Sequence, residues 1–392
     1  MTPLAGLTVV SVEQAVAAPL ASRHLADLGA RVIKIERPGT GDFARQYDTT
    51  VRGMSSHFVW LNRSKESLTL DLKHEAGPEV LRGLVGRADV FLHNLAPGAI
   101  GRLGFDRQSL RLAFPRLIIC EISGYGADGA YRDKKAYDLL VQSEVGLLSV
   151  TGTQDSPAKA GIPVADIAAG MYAFSGILAA LFERSRTGAG AVVEISLFDA
   201  LAEWMGYPMY FTEYGGSMPP RSGAHHASIA PYGPYLAADG RTVYLAIQNE
   251  REWTRFCSGV LRSPGLAGDV RFAGNASRVA NRIELDIAIS SVFAALSADE
   301  IVARLDEHDI ANARMNTVEE FLRHPQLASG NRWQTVDSPV GPLRALRPPI
   351  SFGGAGAPFR PIPILGQHTD DILRELGFSA TTVAAWRRAG AI

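Results

Sequence analysis

The chain has 392 residues, of which 46% are hydrophobic and 20% charged, with 39 Lys and Arg against 40 Asp and Glu. This length exceeds the usual limit of one hydrophobic core and predicts two domains. The balanced charge argues against a nucleic-acid-binding protein. Cys120 and Cys257 lie far apart in apolar contexts, which argues against a disulfide framework or a cysteine metal site. The first residues lack the features of a signal peptide, and uninterrupted apolar runs stay below membrane-spanning length, so we expect a cytoplasmic protein without a membrane partner.

The first part of the chain alternates strand and helix patterns. Residues 7–12 and 31–36 predict strands, and residues 19–28 between them predict a helix, so the two strands should be parallel. Further predicted strands lie at 67–72, 89–93 and 117–123, with a helix at 76–87. We therefore expect an α/β fold with an open, largely parallel, Rossmann-like sheet in a large domain covering residues 1–214.

The pattern continues with a helix at 167–186, a strand at 192–197 and a long apolar helix at 199–214. Residues 215–224, which contain Gly-Gly and Pro-Pro, predict a linker. A smaller α+β domain is expected at 225–330, and residues 331–392 should pack back on the large domain. The predicted elements of the smaller domain are a hairpin at 231–236 and 243–248, helices at 250–261, 278–296 and 297–308, and capping boxes at Ser297/Glu300 and Thr317/Glu320. Residues 333–352 are strand-like, and 367–376 and 380–389 helical.

Asp166 is the most informative residue. It is a lone carboxylate in the run Gly-Ile-Pro-Val-Ala-Asp-Ile-Ala-Ala-Gly, and it has small neighbours but no basic residue beside it. The apolar spacing that follows places Asp166 at the start of a buried helix, where the helix dipole favours the ionised carboxylate. Such a residue is either a helix cap or a nucleophile, and its own pattern favours the cap.

Several familiar active-site patterns are missing or out of place. Residues 124–129 match G-x-G-x-x-G, but a charged loop follows them instead of an apolar helix, and the first strand-to-helix turn has no glycine, which disfavours a nicotinamide enzyme. His225 and His226 form the only adjacent histidine pair and lie in a loop, so we expect no metal site. The chain lacks the Gly-x-Ser-x-Gly elbow of serine hydrolases.

Basic residues that follow strands of the large domain are candidates for phosphate contacts. They are Arg37, Lys65, Arg102, Lys134 and Lys135. Open α/β sheets bind ligands at the edge where the strands end, so this placement favours a nucleotide-like ligand.

A set of ordered blocks across nearly the whole chain resembles the class III coenzyme A (CoA) transferases of the formyl-CoA transferase and carnitine CoA-transferase type. The blocks are residues 6–42, Asn62-Arg63-Ser64-Lys65 with 68–73, 89–94, Pro97-Gly98, Arg102-Leu103-Gly104, 122–126, Tyr137-Asp138, Ala165-Asp166 and 366–369. The resemblance implies that Asp166 is the catalytic aspartate and that family members form interlocked homodimers.

The same resemblance implies a coenzyme A site in the large domain. It would be formed by Val16, Arg37, Lys65, Asn94, Leu95, Arg102, Lys135 and Tyr137. Residues 223–232 stand where formyl-CoA transferases have a glycine-rich loop and are similar to members that act on small dicarboxylic acids. His225, His226 and Tyr232 are therefore candidate substrate contacts.

The resemblance extends to α-methylacyl-CoA racemases, which use a histidine and an aspartate on opposite faces of the substrate. The racemase histidine falls here on Tyr137, whose phenol is a poor base at neutral pH, so a transferase is favoured over a racemase. A non-catalytic acyl-CoA-binding protein is a second alternative. In the transferase hypothesis Asp166 attacks the donor thioester without metal or NAD, and backbone N–H groups at the helix start and in residues 231–233 are candidate oxyanion donors.

Overall fold

The computed structural model describes residues 2–352 and 359–392. They form two compact units, each described here by itself. The first unit contains the described parts of Met1–Gly146, Ala160–Gly206 and Ser329–Ile392, and the second contains Leu147–Lys159 and Tyr207–Ala328. This grouping differs from the domain limits expected from the sequence at residues 147–159 and 207–214, which were assigned to the large domain, and those limits stay a prediction.

The strands of the described residues are β1 Thr8–Val12, β2 Arg31–Glu36, β3 Lys65–Thr69, β4 Val90–His93, β5 Ile118–Ser123, β6 Val192–Ser196, β7 Tyr232–Leu236, β8 Thr242–Ala246, β9 Ala311–Arg314, β10 Trp333–Val336 and β11 Leu343–Leu346. The helices are α1 Ala17–Asp27, α2 Ser56–Leu61, α3 Ala76–Val85, α4 Arg107–Ala113, α5 Asp138–Glu144, α6 Leu147–Val150, α7 Val164–Thr187, α8 Leu197–Trp204, α9 Gly206–Gly215, α10 Glu250–Arg255, α11 Asn275–Ala280, α12 Arg282–Phe293, α13 Ala298–Glu307, α14 Val318–Leu322, α15 Pro325–Ser329, α16 Thr369–Glu375 and α17 Ala380–Arg388.

A six-stranded parallel sheet organises the first unit, in the order β3-β2-β1-β4-β5-β6. The predicted open α/β sheet is therefore confirmed. The strand order reverses at β1, which pairs with β2 on one side and β4 on the other. In open α/β sheets, a crevice for ligands forms outside the carboxyl ends of the strands at such a switch point.

Helices cover the sheet because its strands are apolar on both faces. Val10 and Val12 of β1 pack in a core with Leu81 and Leu84 of α3. On another side of the unit, α1 packs against α7, where the backbone carbonyl of Ala17 lies so close to Gly170 that a Cβ atom would come within 2.6 Å of it. This close approach fixes the start of α1 beside the first turns of α7.

The C-terminal segment contacts the outer strand of the sheet, β3. The ring of His368 accepts a hydrogen bond from the Ser67 N–H (3.1 Å), and the Thr369 hydroxyl accepts one from the Thr69 N–H (3.0 Å). Ile372 and Leu373 of α16 are buried in the same core as β1. The segment thereby satisfies donors of an otherwise unpaired strand edge.

The second unit contains the three-stranded antiparallel sheet β7-β8-β9 and several helices. Its core includes the fully buried Trp253, Phe256 and Phe293. The predicted hairpin and both predicted capping boxes are confirmed. The edge strand β9 was not predicted, because Ala-Asn-Ala-Arg has no β-branched or aromatic residue to mark it.

Several predicted helix boundaries change. The helix expected at 199–214 is two helices, α8 and α9, that meet at Met205 and Gly206. The helix expected at 167–186 begins three residues earlier, at Val164. Of the described helices, α7 is the one whose length and mean hydropathy of 1.7 meet the criteria for a membrane span, a test that the core helix of a soluble protein also passes. Its packing against α1 and α8 accounts for its apolar composition.

Candidate active site

Asp166 lies in the first turn of α7, where it is partly buried. The helix is capped from outside its own sequence, because the Asp138 carboxylate accepts hydrogen bonds from the N–H groups of Ala165 (2.8 Å) and Asp166 (3.4 Å). Among the described residues, no donor hydrogen-bonds to the Asp166 carboxylate itself. The carboxylate is therefore available for chemistry, and the alternative that Asp166 caps the helix is wrong.

The environment of Asp166 raises its pKa from 3.8 to about 7, first through burial and then through the negative charge of Asp138. The sequence argument expected the helix dipole to favour the ionised form. That expectation was wrong because Asp138 already occupies the N–H groups that would stabilise the charge. The same contacts, with the Ile167 N–H bonded to the Pro163 carbonyl, remove the expected oxyanion donors at the helix start.

The turn after β1 meets the start of α7. Val16 is buried in a small apolar cluster with Leu20 and Leu61, and Ile167, the residue after Asp166, packs against that cluster. Before it, Ala15 has a φ of 63°, in the left-handed region that non-glycine residues rarely adopt. Such a conformation persists where the surroundings hold it in place.

Two side chains hold this turn. Asn94 accepts a hydrogen bond from the Gln14 N–H (2.9 Å) and donates one to the Gln14 carbonyl (2.8 Å). Asp42 accepts a hydrogen bond from the Ala15 N–H (3.1 Å). Asn94 was expected to contact coenzyme A, but the structure shows that its amide binds the backbone of the turn.

A cavity of ≈ 800 Å³ lies at the carboxyl ends of β1 to β4, next to the strand-order switch. Its walls include Val12, Glu13, Gln14, Arg37, Pro38, Asp42, Leu70, Leu72, Lys73, Leu95, Ala99, Arg102 and Leu103. The side chains of Arg37, Lys73 and Arg102 are exposed and cationic, and Leu95 is partly buried. A second cavity of ≈ 1110 Å³ shares Leu95 and Arg102 with it and extends along β4 to β6. The structure thus brings together Arg37, Leu95 and Arg102 of the predicted set.

Lys65 lines neither of these two cavities. Its side chain is fully buried, and its ammonium donates to the Glu13 carboxylate (2.6 Å), the Pro19 carbonyl (3.0 Å) and the Asn62 amide oxygen (3.2 Å). An ammonium has three donors, and these contacts use them all. The expectation that Lys65 binds a phosphate has no support in this geometry. Lys73, which sequence reasoning overlooked, lines the cavity instead.

Tyr137 and Lys135 are exposed residues just before α5, Tyr137 with 65% of its surface accessible. Tyr137 precedes Asp138 directly, so it lies at the same junction as the α7 cap. A further phenol was missed from the sequence. The pKa of Tyr47 is raised to about 12 by partial burial and then by the charges of Asp42, Asp166 and Tyr137.

His225, His226 and Tyr232 lie in the second unit. The ring of His226 stacks on that of Tyr232 with centroids 5.1 Å apart, and the His225 ring packs against Gly233, which leaves no room for a Cβ atom. Arg282 donates to the His226 carbonyl (2.7 Å), so this loop has a defined conformation. Among residues 2–352 and 359–392, no group of three or more His, Cys, Asp or Glu side chains is placed to hold a metal ion.

The first unit thus contains a cavity lined by exposed cationic side chains at a sheet switch point and a partly buried carboxylate, Asp166, without a hydrogen-bond donor among the described residues. The sequence model of "CoA-transferase family III" matches residues 4–369, and the chain belongs to this family of CoA-transferases. This finding confirms the resemblance described above.

Named relatives and a solved structure show the same relationship. The chain is 34% identical to a succinate–glutarate CoA-transferase of Agrobacterium fabrum, over 95% of this chain and 96% of the relative. It is 32% identical to an acetyl-CoA:oxalate CoA-transferase of Acetobacter aceti, over 93% of this chain and 90% of the relative. The crystal structure of a CAIB/BAIF family protein from Brucella suis matches with a TM-score of 0.82 and 34% identity, covering 96% of this chain and 99% of that one.

Proposed function

We propose that this enzyme moves coenzyme A from an acyl-CoA to a small dicarboxylic acid through a thioester on Asp166. The observation that carries the proposal is the Asp166 carboxylate itself, which is partly buried, without a hydrogen-bond donor among the described residues, and raised in pKa to about 7. Perturbed groups of this kind concentrate at catalytic sites, because structural carboxylates are paired.

The reaction needs no proton or electron source. A carboxylate oxygen of Asp166 attacks the carbonyl carbon of the donor thioester, the C–S bond breaks, and a mixed anhydride and coenzyme A thiolate result. The thiolate then attacks the Asp166 acyl carbon, which releases the donor as a free carboxylate and leaves an aspartyl-CoA thioester. The acceptor carboxylate reverses both steps. Splitting one exchange into four substitutions keeps the energy of the thioester throughout.

The coenzyme A would lie in the ≈ 800 Å³ cavity of the first unit. Arg37, Lys73 and Arg102 supply cationic groups for its phosphates, and Leu95 and Val12 supply apolar wall for its carrier arm. The proposal requires the thioester at the end of the arm to reach Asp166, and Val16 is a predicted neighbour of it, because Ile167, the residue after Asp166, packs against the cluster that contains Val16. Lys135 and Tyr137, both exposed next to Asp138, stay predicted contacts.

The named relatives support the proposed class of acceptor. One named relative acts on succinate and glutarate and another on oxalate, and all three are dicarboxylates. We propose a dicarboxylate as the acceptor here, with His225, His226 and Tyr232 as predicted contacts.

We also propose that the enzyme is a homodimer of the cytoplasm. Helix α9 exposes the large side chains of Tyr207, Met209, Tyr210 and Tyr214, and clustered exposed apolar side chains are typical of protein–protein interfaces. Cys120 and Cys257 are buried free thiols, as expected in a reducing compartment.

The proposal is tested by incubating the purified enzyme with succinyl-CoA, acetyl-CoA or formyl-CoA and a panel of mono- and dicarboxylates, with new CoA esters identified by mass spectrometry. We expect dicarboxylates to be the preferred acceptors and Asp166→Asn to be inactive in every pairing. Preference for monocarboxylates would reject the substrate class, and an active Asp166→Asn variant would reject the mechanism.

A further inference from the structure

The cap of α7 comes from a different helix. Asp138 is the first residue of α5, and one of its carboxylate oxygens accepts the N–H groups of Ala165 and Asp166. Its other oxygen accepts a hydrogen bond from the buried Gln142 amide (2.6 Å). The side-chain Oε1 of Gln142 in turn accepts a hydrogen bond from the Ala160 N–H (3.0 Å). These contacts fix the Asp138 carboxylate at the end of α7.

The start of α7 also lacks the N–H group to which the Asp166 side chain would normally bond. Asp166 occupies the third position of α7, where an acidic side chain usually bonds back to the N–H of the N-cap residue. The N-cap here is Pro163, which has no N–H. The free N–H groups that remain nearby are taken by Asp138. Both local partners that an acidic residue normally finds in a first turn are thus withheld from Asp166.

Asp138 is also the charged group that acts on Asp166. Several charged groups on the other elements packed against α7 have partners of their own. On α1, Arg23 and His24 contact each other. On α8, Asp199 is bonded to Ser196, and on β5 and β6, Glu121 and Glu194 are paired with Arg107. The pKa of the Tyr47 phenol is raised in part by the charge of Asp166.

We propose that Asp138 is a positioning residue for transfer: it caps α7 in place of Asp166 and keeps the Asp166 carboxylate bare and directed at the thioester. This inference rests on the proposed function of Asp166. A carboxylate whose charge is not stabilised by donors is a stronger nucleophile than an exposed one. Without Asp138, the Asp166 side chain becomes the nearest acceptor for the N–H groups of its own helix and is drawn away from the substrate.

Two substitutions distinguish the capping of α7 by Asp138 from the effect of its negative charge on Asp166. Asp138→Asn keeps an oxygen for the Ala165 N–H but removes the negative charge, so the pKa of Asp166 should fall. Because Asp166 acts in its ionised form, the rise of kcat/KM with pH should then shift to lower pH by about one unit. Asp138→Ala removes cap and charge, and kcat should fall about tenfold or more at every pH, with KM for acyl-CoA within about twofold, because Asp138 does not line the ≈ 800 Å³ cavity.

Glu144→Gln is the matched control. It removes one negative charge from the other end of α5, where Glu144 pairs with Lys134, and should leave the pH profile unchanged. If wild-type enzyme fails to transfer coenzyme A, or Asp166→Asn retains activity, the proposed function itself is wrong. If transfer depends on Asp166 but Asp138→Ala keeps the kcat of wild type, or the pH profile of Asp138→Asn coincides with that of wild type, the positioning role is wrong. Should Asp138→Ala fail to fold, the Asp138→Asn profile decides.

Discussion

Two carboxylates of the first unit, the fully buried Glu13 and the partly buried Asp166, have opposite environments. Glu13, which follows β1, is fully buried and bonded to Lys65 (2.6 Å) and the Ser22 hydroxyl (2.6 Å), with Lys34 3.5 Å away. Burial pushes its pKa up, but the two ammonium groups more than offset this, so its pKa is lowered. Asp166 is less buried and has no such compensation, and its pKa is raised to about 7.

The difference separates a structural acid from a reactive one. Burying a charge is costly unless it is paired, and the fold provides Glu13 with partners from β2 and β3. Instead of a cationic partner, Asp166 has the negative charge of Asp138 near it. Such an arrangement lowers stability, and it persists where the function needs it. The comparison leads to four predictions.

Asp166→Asn should have the largest effect on activity. Removing the nucleophile should lower kcat for coenzyme A transfer by about 10⁴-fold or more. The folded protein should be as stable as wild type or more stable at pH 8, because an uncompensated charge is removed. Steady-state kinetics and thermal unfolding measure the two effects, and a large loss of stability would show that Asp166 has a structural role.

Glu13→Gln should have the opposite effects: a large loss of stability and an unchanged pH dependence of catalysis. Loss of the carboxylate leaves Lys34 and Lys65 buried with one anionic partner fewer, and breaking a buried ion pair costs about 3–5 kcal/mol. Denaturant unfolding should show this loss, whereas the residual folded enzyme should keep the pH profile of wild type. Unchanged stability would mean that the Glu13 network is not the structural centre that its geometry indicates.

The stability difference between wild type and Asp166→Asn should depend on pH. A carboxyl group whose pKa is 3.8 when unfolded and about 7 when folded destabilises the fold progressively as pH rises through that range. Wild type should therefore lose stability relative to Asp166→Asn between about pH 4 and pH 7, and the difference should level off above that. Unfolding measured in both proteins from pH 4 to 8 tests this, and a constant difference would contradict the raised pKa.

Lys73→Ala should have the smallest effect. Loss of one exposed cation at the cavity should raise KM for the acyl-CoA about threefold to tenfold without changing kcat, and the effect should shrink at high salt. Arg111→Ala, an exposed cation of α4 outside the cavity, is the control. Equal effects from both variants would show that the cavity does not bind the phosphates.

Local patterns predicted the parallel sheet because β1, α1 and β2 carry strong hydrophobic periodicity over short segments. They also located Asp166 in the first turn of a helix, within three residues of its observed start. The cap could not be predicted, since Asp138 is 28 positions away and reaches α7 through tertiary packing.

The different roles of Lys65 and Lys73 could not be predicted from the sequence either. Lys65 and Lys73 lie at the two ends of the same predicted strand region, and both look like surface residues in a pattern of alternating polarity. The fold buries Lys65 because Glu13 and Asn62 surround it, and it leaves Lys73 at the cavity. Burial of a charged residue depends on partners distant in sequence, and no local signal encodes it.

Trapping the covalent intermediate tests the central claim most directly. Enzyme incubated with acyl-CoA and then with hydroxylamine should carry a hydroxamate on the peptide containing Asp166, identified by tandem mass spectrometry, and Glu13 should remain unmodified in the same digest. Full exchange activity with Asp166 unmodified, or with the label on another residue, would contradict the account.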